Sequence, residues 1–430
     1  MGKKTKFSID LKLDHIKIKN VTIDKNGDYH IYAACTATSI TCHKCGKIII
    51  KPYGQCKETI IEHLPILDDR VFIHLKWPRF ICTNCEDKPT TSFHPDWLNE
   101  NGGCTKLYEK FALKNLINST EKDVAEKLVI TEEIVAGIVN RNIVTTINWD
   151  EIFITRMGVD EIALRKGHKS YLTIVSDISI IGKSKILAVI DGRTKDEINP
   201  FFSSIPKRIW NSLESVTVDM SACYFSVLKD TANDDVIFDR IVTIDRFHVA
   251  KLLGNAVDKE RKKVTNKLKE DLKSEQETLE QVKSTMWPFR HHPDDLEEDD
   301  KDRLKKLFTL APSLKECYDI RENLYLIFES NLEKKDAKIK IDAWCIMAMG
   351  YKTKGHHPFE KFIETYYRYQ ENILNYFTHR HSSGAVEGLN NKIKVIKRRG
   401  FGFRNILNFA KRIFLDINLK NQYIPNLQST

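Results

Sequence analysis

No stretch of this chain stays apolar for long. Runs such as Ile186 to Ile190 and Ala343 to Met349 fall far below the ~18 residues a helix needs to cross a bilayer, so a membrane span is excluded. Glycine, at 18 of 430 residues, and proline, at 12, are too scarce for a collagen-like or low-complexity chain. No internal repeat is visible. The opening MGKKTKFSIDLKLDHI has no apolar core for a secretion signal, and Lys6 stands where N-myristoylation needs Ser or Thr. Neither export nor lipid anchoring is expected. The ten cysteines therefore read as reduced thiols in the cytoplasm, some of them metal ligands, rather than as a disulfide framework.

What is present describes a folded, multidomain protein. The length suits about two to four domains. Hydrophobic residues make up 41% of the chain and charged residues 30%, which are ordinary globular values. Lys and Arg number 68 against 59 Asp and Glu, a formal +9 that permits a polyanionic partner without demanding one. The position of that charge must decide.

The fold class read from the pattern is multidomain α+β. Apolar and polar residues alternate over 8–35, and six cysteines fall within 42–104 among short strand-like runs such as Arg70 to Leu75. Residues 1–104 thus form a β-rich cysteine module. Helical spacing over 105–148 predicts three short helices. Within 149–254 the reading is α/β, with strands at 156–165, 170–178, 184–191, 215–219 and 240–245 and helices near 194–208 and 221–230. A charged helical insertion occupies 255–375, with seven acids between Asp294 and Asp302. The final part, 376–430, is again helical and basic.

Cys42-x2-Cys45 and Cys82-x2-Cys85 supply four soft ligands for a tetrahedral, structural Zn²⁺. The 36 residues between the knuckles are many for such a site, but a strand hairpin can bring them together. Cys56, Cys104, His43 and His94 are alternative ligands, and unliganded buried thiols are the alternative to a metal. Over 119–143, Thr120 with Asp123 resembles a capping box and Thr131 can cap a following helix, so the segment suits a helix-turn-helix. A plain helical hairpin is the competing reading, because Glu132 and Glu133 would meet phosphates unfavourably.

Asp160 lies within one expected strand and Asp219 closes another. Glu387 follows Ser382 and Ser383, which can cap a helix that carries it into the same cleft. Three such carboxylates can hold Mg²⁺, or Mn²⁺, for two-metal chemistry at a phosphodiester. Glu161 should face away, since alternate side chains on a strand point to opposite faces. Asp245 and His248 open a helix after a strand, as a capping Asp with a packed His beside it. Lys392, Lys394, Lys397, Arg398, Arg399 and Arg404 follow Glu387, and no acid stands between Gly388 and Leu415. Positive charge next to the acids, beside Phe401 and Phe403, favours a nucleic acid as partner.

These motifs resemble the DDE-type bacterial transposases of the insertion-sequence L-three (ISL3) family across most of the chain. The resemblance is carried by the double C-x2-C module, Gly158-Val-Asp160-Glu161, Val218-Asp219-Met220, Asp245-Arg-Phe-His248-Val, and Glu387-Gly-Leu-Asn-Asn-Lys-Ile-Lys followed by Arg398 to Phe403. It implies an RNase H-like catalytic domain interrupted by a helical insertion. It also implies Mg²⁺-dependent cleavage and transfer of strands of double-stranded DNA at the terminal inverted repeats of a mobile element, with Asp160, Asp219 and Glu387 as the acids and with Asp245 and His248 lining the cleft, the alternative to a plain cap. Assembly as a homodimer or larger complex on element ends and target DNA belongs to the same expectation. A non-catalytic DNA-binding regulator, or a metal-dependent nuclease that does not join ends, are the rival readings.

Overall fold

A computed structural model describes residues 10–100, 102–164, 170–180, 182–232, 234–272, 280, 282, 284–351, 357–380 and 384–423. They fall into two compact units. The first holds residues up to Val144 with Arg399–Gly402 and the residues from Phe414 onward; the second holds Thr145–Arg398 with Phe403–Ile413.

In the first unit, β1 (Ile16–Ile23), β2 (Tyr29–Cys35), β5 (Pro52–Ile66) and β6 (Asp69–Ile81) form a sheet in the order β1-β2-β6-β5, with β7 (Thr90–Ser92) paired to β6. A small hairpin of β3 (Ile40–Thr41) and β4 (Ile48–Ile49) lies before β5. The short run expected at Arg70 to Leu75 is the middle of a 13-residue strand. Its length comes from pairing: β5 and β6 pair from Ile66↔Asp69 at the tip to Pro52↔Phe80 at the base, with register shifts between Pro52 and Gln55, Gln55 and Glu58, and His63 and Ile66. The tip turns on Leu67 and Asp68, both at positive φ as a tight two-residue hairpin requires. One face buries Ile31, Ile61, Val71, Ile73, Leu75 and Trp77.

Three helices follow: α1 (Lys106–Leu116), α2 (Glu121–Leu128) and α3 (Glu132–Asn142). The capping box is formed, with Asp123 N donating to Thr120 Oγ1 (3.0 Å) and Thr120 N donating to Asp123 Oδ2 (3.2 Å). Val129 turns the chain in the left-handed region, and Ile134 N donates to Thr131 Oγ1 at 3.4 Å to start α3. Fully buried Glu109 ties these elements together. Its carboxylate accepts from Arg141 (2.6 and 2.9 Å), from Asn142 (2.8 Å) and from Asn99. A buried carboxylate this well supplied with donors fixes α1 against α3.

The second unit is built on a mixed sheet of β8 (Arg156–Ala163), β9 (Tyr171–Asp177), β10 (Lys185–Asp191), β11 (Ser215–Val218) and β12 (Val242–Ile244), in the order β10-β9-β8-β11-β12. The first three are antiparallel, while β8, β11 and β12 run parallel. Parallel neighbours need crossovers. These are α4 (Lys195–Ser203) and α5 (Lys207–Ser212) before β11, and α6 (Ala222–Ala232) and α7 (Asp235–Ile241) before β12. The strand expected over 240–245 is therefore shorter, because Asp234 Oδ1 accepts from the N–H groups of Val236 and Ile237 and starts a helix that runs to Ile241.

Directly after β12 comes α8 (Arg246–Asp271), the helix expected to open at Asp245. It is followed by α9 (Met286–Arg290), α10 (Glu298–Leu310), α11 (Pro312–Glu329), α12 (Lys334–Gly350), α13 (Glu360–Arg368) and α14 (Gln370–His379), which share one apolar core with Ile244 and Val249. Edge strand β12 is covered by α14, whose Asn372 and Asn375 amides donate to Val242 O at 3.1 and 2.8 Å. The acidic run places Glu298, Asp299 and Asp300 in the first turn of α10, where the helix dipole favours them. Last come α15 (Gly384–Arg399), α16 (Ile406–Ile417) and the short α17 (Lys420–Tyr423). Among the described residues no helix is long and apolar enough to cross a membrane.

Candidate active site and metal centre

The four knuckle cysteines form a cluster, with all Sγ atoms within 4.8 Å of one another. The long β5–β6 hairpin makes this possible: it leaves the first knuckle and returns to the second, and Ile81 N donates to Lys51 O at 3.0 Å where the strands close. Lys44 of one knuckle pairs with Asp87 of the other at 2.8 Å. Cys45 and Cys82, and Cys82 and Cys85, are each 3.7 Å apart. A zinc ion about 2.3 Å from four tetrahedral sulfurs would set them about 3.8 Å apart, so the spacing fits. Backbone N–H groups of Cys45 and Lys44 hold the Cys42 thiol well below its ordinary range, at about 6. Desolvation and the neighbouring thiols push Cys85 up to about 12, so only a cation among them would let all four ionise. Of the alternative ligands, His94 is exposed and outside the four-sulfur cluster, and the other three have partners of their own. His43 Nδ1 lies 2.9 Å from Thr91 Oγ1, Cys56 contacts Ser92 Oγ at 3.3 Å, and Cys104 faces Glu109.

In the second unit the strand register lines up three acids. Gly158 pairs with Thr217 and Thr217 with Thr243, so the residues two steps further on, Asp160, Asp219 and Asp245, occupy one row across β8 and the ends of β11 and β12. His248, in the first turn of α8, places Nδ1 3.5 Å from Asp245 Oδ2 and 3.8 Å from Asp219 Oδ1. Asp245 caps α8, its Oδ1 accepting from Phe247 N at 3.0 Å. Burial pushes the Asp160 carboxyl up; the Glu161 N–H and His248 oppose that, while Asp219 and Asp245 add to it. Burial works against protonating His248, but Asp245, then Asp219 and Asp160, outweigh it and raise its pKa. One histidine beside three acids leaves a surplus of negative charge, the donor chemistry that suits a hard divalent cation. Glu161 turns from the row to pair with Arg193 at 3.1 Å.

Helix α15 lies along β8. Val386 packs on Gly158, Asn390 Nδ2 donates to Asp160 Oδ2 at 2.6 Å, and Lys397 Nζ donates to the carbonyls of Ala163 and Leu164, each at 3.0 Å. Glu387 is exposed one turn before Asn390, on the same side of the helix. Ser382 and Ser383, expected to cap this helix, lie outside the described residues.

The family model for ISL3-type proteins, described as transposase, matches residues 157–413, from the second residue of β8 into α16. The chain belongs to the ISL3 transposase family. It is 26% identical to the transposase for insertion sequence element IS1001 of Bordetella parapertussis, over 89% of this chain and 90% of that protein. To the transposase for insertion sequence element IS1557 of Mycobacterium tuberculosis it is 23% identical, over 78% of this chain and 76% of that one. A 98-residue stretch is 31% identical to a protein named ATP-dependent protease in Lactococcus lactis, covering 23% of this chain and 26% of that protein.

Within this transposase the basic tail divides by environment. Lys392, Lys394, Arg398 and Arg404 are exposed, whereas Lys397 serves the end of β8, Arg399 donates to Asn118 at 3.1 Å and Arg412 is buried. Phe403 stacks on Phe409 at 4.7 Å, while Phe401 stays exposed. Sequence reasoning gave Asn390 no role. Its one signal was position, three residues after Glu387 on the same helical face.

Proposed function

We propose that this ISL3 transposase binds the terminal inverted repeats of an insertion sequence and catalyses divalent-metal-dependent cleavage and strand transfer of DNA with Asp160, Asp219 and Glu387. The observation that carries the reading is the hydrogen bond from Asn390 to Asp160, which ties the helix bearing Glu387 to the strand bearing the first acid. The sheet order, three antiparallel strands followed by two parallel ones, supports an RNase H-like catalytic domain running over 149–254 and 376–430, with 255–375 as its insertion.

Asp160, Asp219 and Glu387 would hold the Mg²⁺ or Mn²⁺ ions, with Asp245 and His248 beside them. Bound there, such ions supply positive charge to the attacking and leaving oxygens of a phosphodiester. The protein's own part is to hold Asp160 and Asp219 in one row and to orient them, through the Glu161 N–H, Asn390 and His248. Exposed Lys392, Lys394, Arg398 and Arg404 offer phosphate contacts close to Glu387 in sequence. In the first unit, α2 and α3 join through a tight turn at Val129 and serve, with the zinc module of 1–104, as the helix-turn-helix-like part (105–148) that recognises element ends. Two chains act on paired ends.

The test incubates the protein, Mg²⁺ and element-end DNA with a target plasmid. Joined products are expected. Cut ends alone would indicate a nuclease, and retarded but intact DNA a regulator. Asp160→Asn, Asp219→Asn and Glu387→Gln should each abolish cleavage while leaving end binding intact; wild-type cleavage from any one removes that residue from the set.

A further inference from the structure

Asn390 is 4% exposed, on an α15 face otherwise made of Val386, Leu389, Ile393 and Ile396. An apolar residue of similar size would pack there without leaving polar atoms to satisfy. The amide instead makes one strong contact, Nδ2 to Asp160 Oδ2 at 2.6 Å, across 230 positions of sequence. An ionised carboxylate only accepts hydrogen bonds, so the NH₂ end of the amide must face Asp160 and the carbonyl end must face away. That carbonyl, Oδ1, is buried and has no hydrogen-bond partner, which is unfavourable unless something else is brought to it. Asp160 is at the same time held at its other oxygen, Oδ1 accepting from Glu161 N at 2.7 Å. With one donor on each oxygen the plane of the carboxylate is set, and a lone pair remains on each for a cation.

We propose that Asn390 is a positioning residue for metal binding: its amide orients the Asp160 carboxylate toward a divalent cation, and its orphaned carbonyl accepts from a water of that cation. The assignment rests on the metal-dependent reading above and adds a residue to it. By this account α15 contributes to the site through two residues one turn apart. Glu387 supplies charge, and Asn390 fixes the geometry of the acid across from it. Partners of this kind, one step removed from the ion, typically alter metal affinity by roughly 10- to 100-fold.

The experiment titrates Mn²⁺ into the zinc-loaded full chain without DNA, reading the free ion by electron paramagnetic resonance. Asn390→Ala removes the amide, and Asn390→Leu removes it while keeping the helix face filled, so that one of the two folds even if the other does not. Both should bind Mn²⁺ roughly 10- to 100-fold more weakly than wild type, and raised Mn²⁺ should restore part of their cleavage. Val386→Ala loosens the same helix face without touching Asp160 and should bind Mn²⁺ as wild type does. Wild-type affinity in Asn390→Leu, or an equal loss in Val386→Ala, overturns the assignment. Failure of the underlying metal reading looks different: wild type and Asp160→Asn would then bind Mn²⁺ alike.

Discussion

Gly158 and Val386 stand so close that a β-carbon on Gly158 would lie 2.6 Å from Val386 Cγ2, and 2.9 Å from Ser176 Oγ. Any side chain at 158 must therefore displace the Val386 and Ser176 side chains, between α15 and β8 and two residues from Asp160. Gly158→Ala should lose about 1–3 kcal/mol of stability by overpacking, measured by urea unfolding, and should lose cleavage beyond what that instability explains. Combining it with Val386→Ala, which vacates the space, should recover most of both. If the single variant cleaves as wild type does, the fit of helix on strand is not a requirement of the site.

Removing zinc should unfold the first unit's cysteine module, because hairpin β3–β4 and the base of β5–β6 meet around the four sulfurs and bury Cys42, Ile49, Phe80 and Cys82 together. Cys42→Ser and Cys82→Ser should lose the metal by mass spectrometry and weaken end binding. Cys56→Ser and Cys104→Ser should keep it. Metal retained in Cys42→Ser would mean a different ligand set.

Cations of α15 that look alike in sequence should behave differently. Lys394→Met and Arg398→Met each remove an exposed charge, so each should weaken DNA binding and lower the slope of log affinity against log salt by roughly one. Lys397 is committed to the carbonyls of Ala163 and Leu164. Its methionine variant should lower the melting temperature and leave the salt slope nearly unchanged. The reverse pattern would show that Lys397 leaves the strand to meet phosphate.

His63 makes the first unit sensitive to acid. Buried at 3% exposure against Thr105 Oγ1, its imidazole is pushed by desolvation down to about 4, with the Leu11 backbone opposing. An unfolded histidine titrates near 6.5, so the unfolded chain takes up a proton that the folded one refuses, and stability falls as pH drops from about 6.5 toward 4, by about 3 kcal/mol in all. His63→Gln should flatten that dependence in denaturant titrations at pH 7 and 5. An unchanged difference between the two pH values would place the sensitivity elsewhere.

Much of this was legible where local chemistry decides structure. The capping box at Thr120 and Asp123, the three short helices and the first four strands of the second unit follow from periodicity and turn residues. Where partners distant in sequence decide, the pattern was silent or misleading. Nothing around Arg70 announces a 13-residue strand, since its length is set by β5. Ile237, Phe238 and Ile241 suit a strand or a helix equally by composition, and the Asp234 cap settles which. The four-cysteine cluster was readable because both knuckles are short motifs. Asn390 was not, since its meaning depends on an aspartate 230 positions away.

The order of synthesis gives this arrangement a further consequence. Asp160, Asp219 and Asp245 all leave the ribosome with β12, but Glu387 follows Asp245 by 142 residues (387 − 245). At about 5–20 residues per second that interval lasts roughly 7–30 s. Throughout it the nascent sheet carries three crowded aspartates with neither the fourth acid nor the amide that orients the first. On the proposed mechanism the helices between β12 and α15 act as a delay: their core can fold on β12 well before Glu387 arrives to complete a metal site.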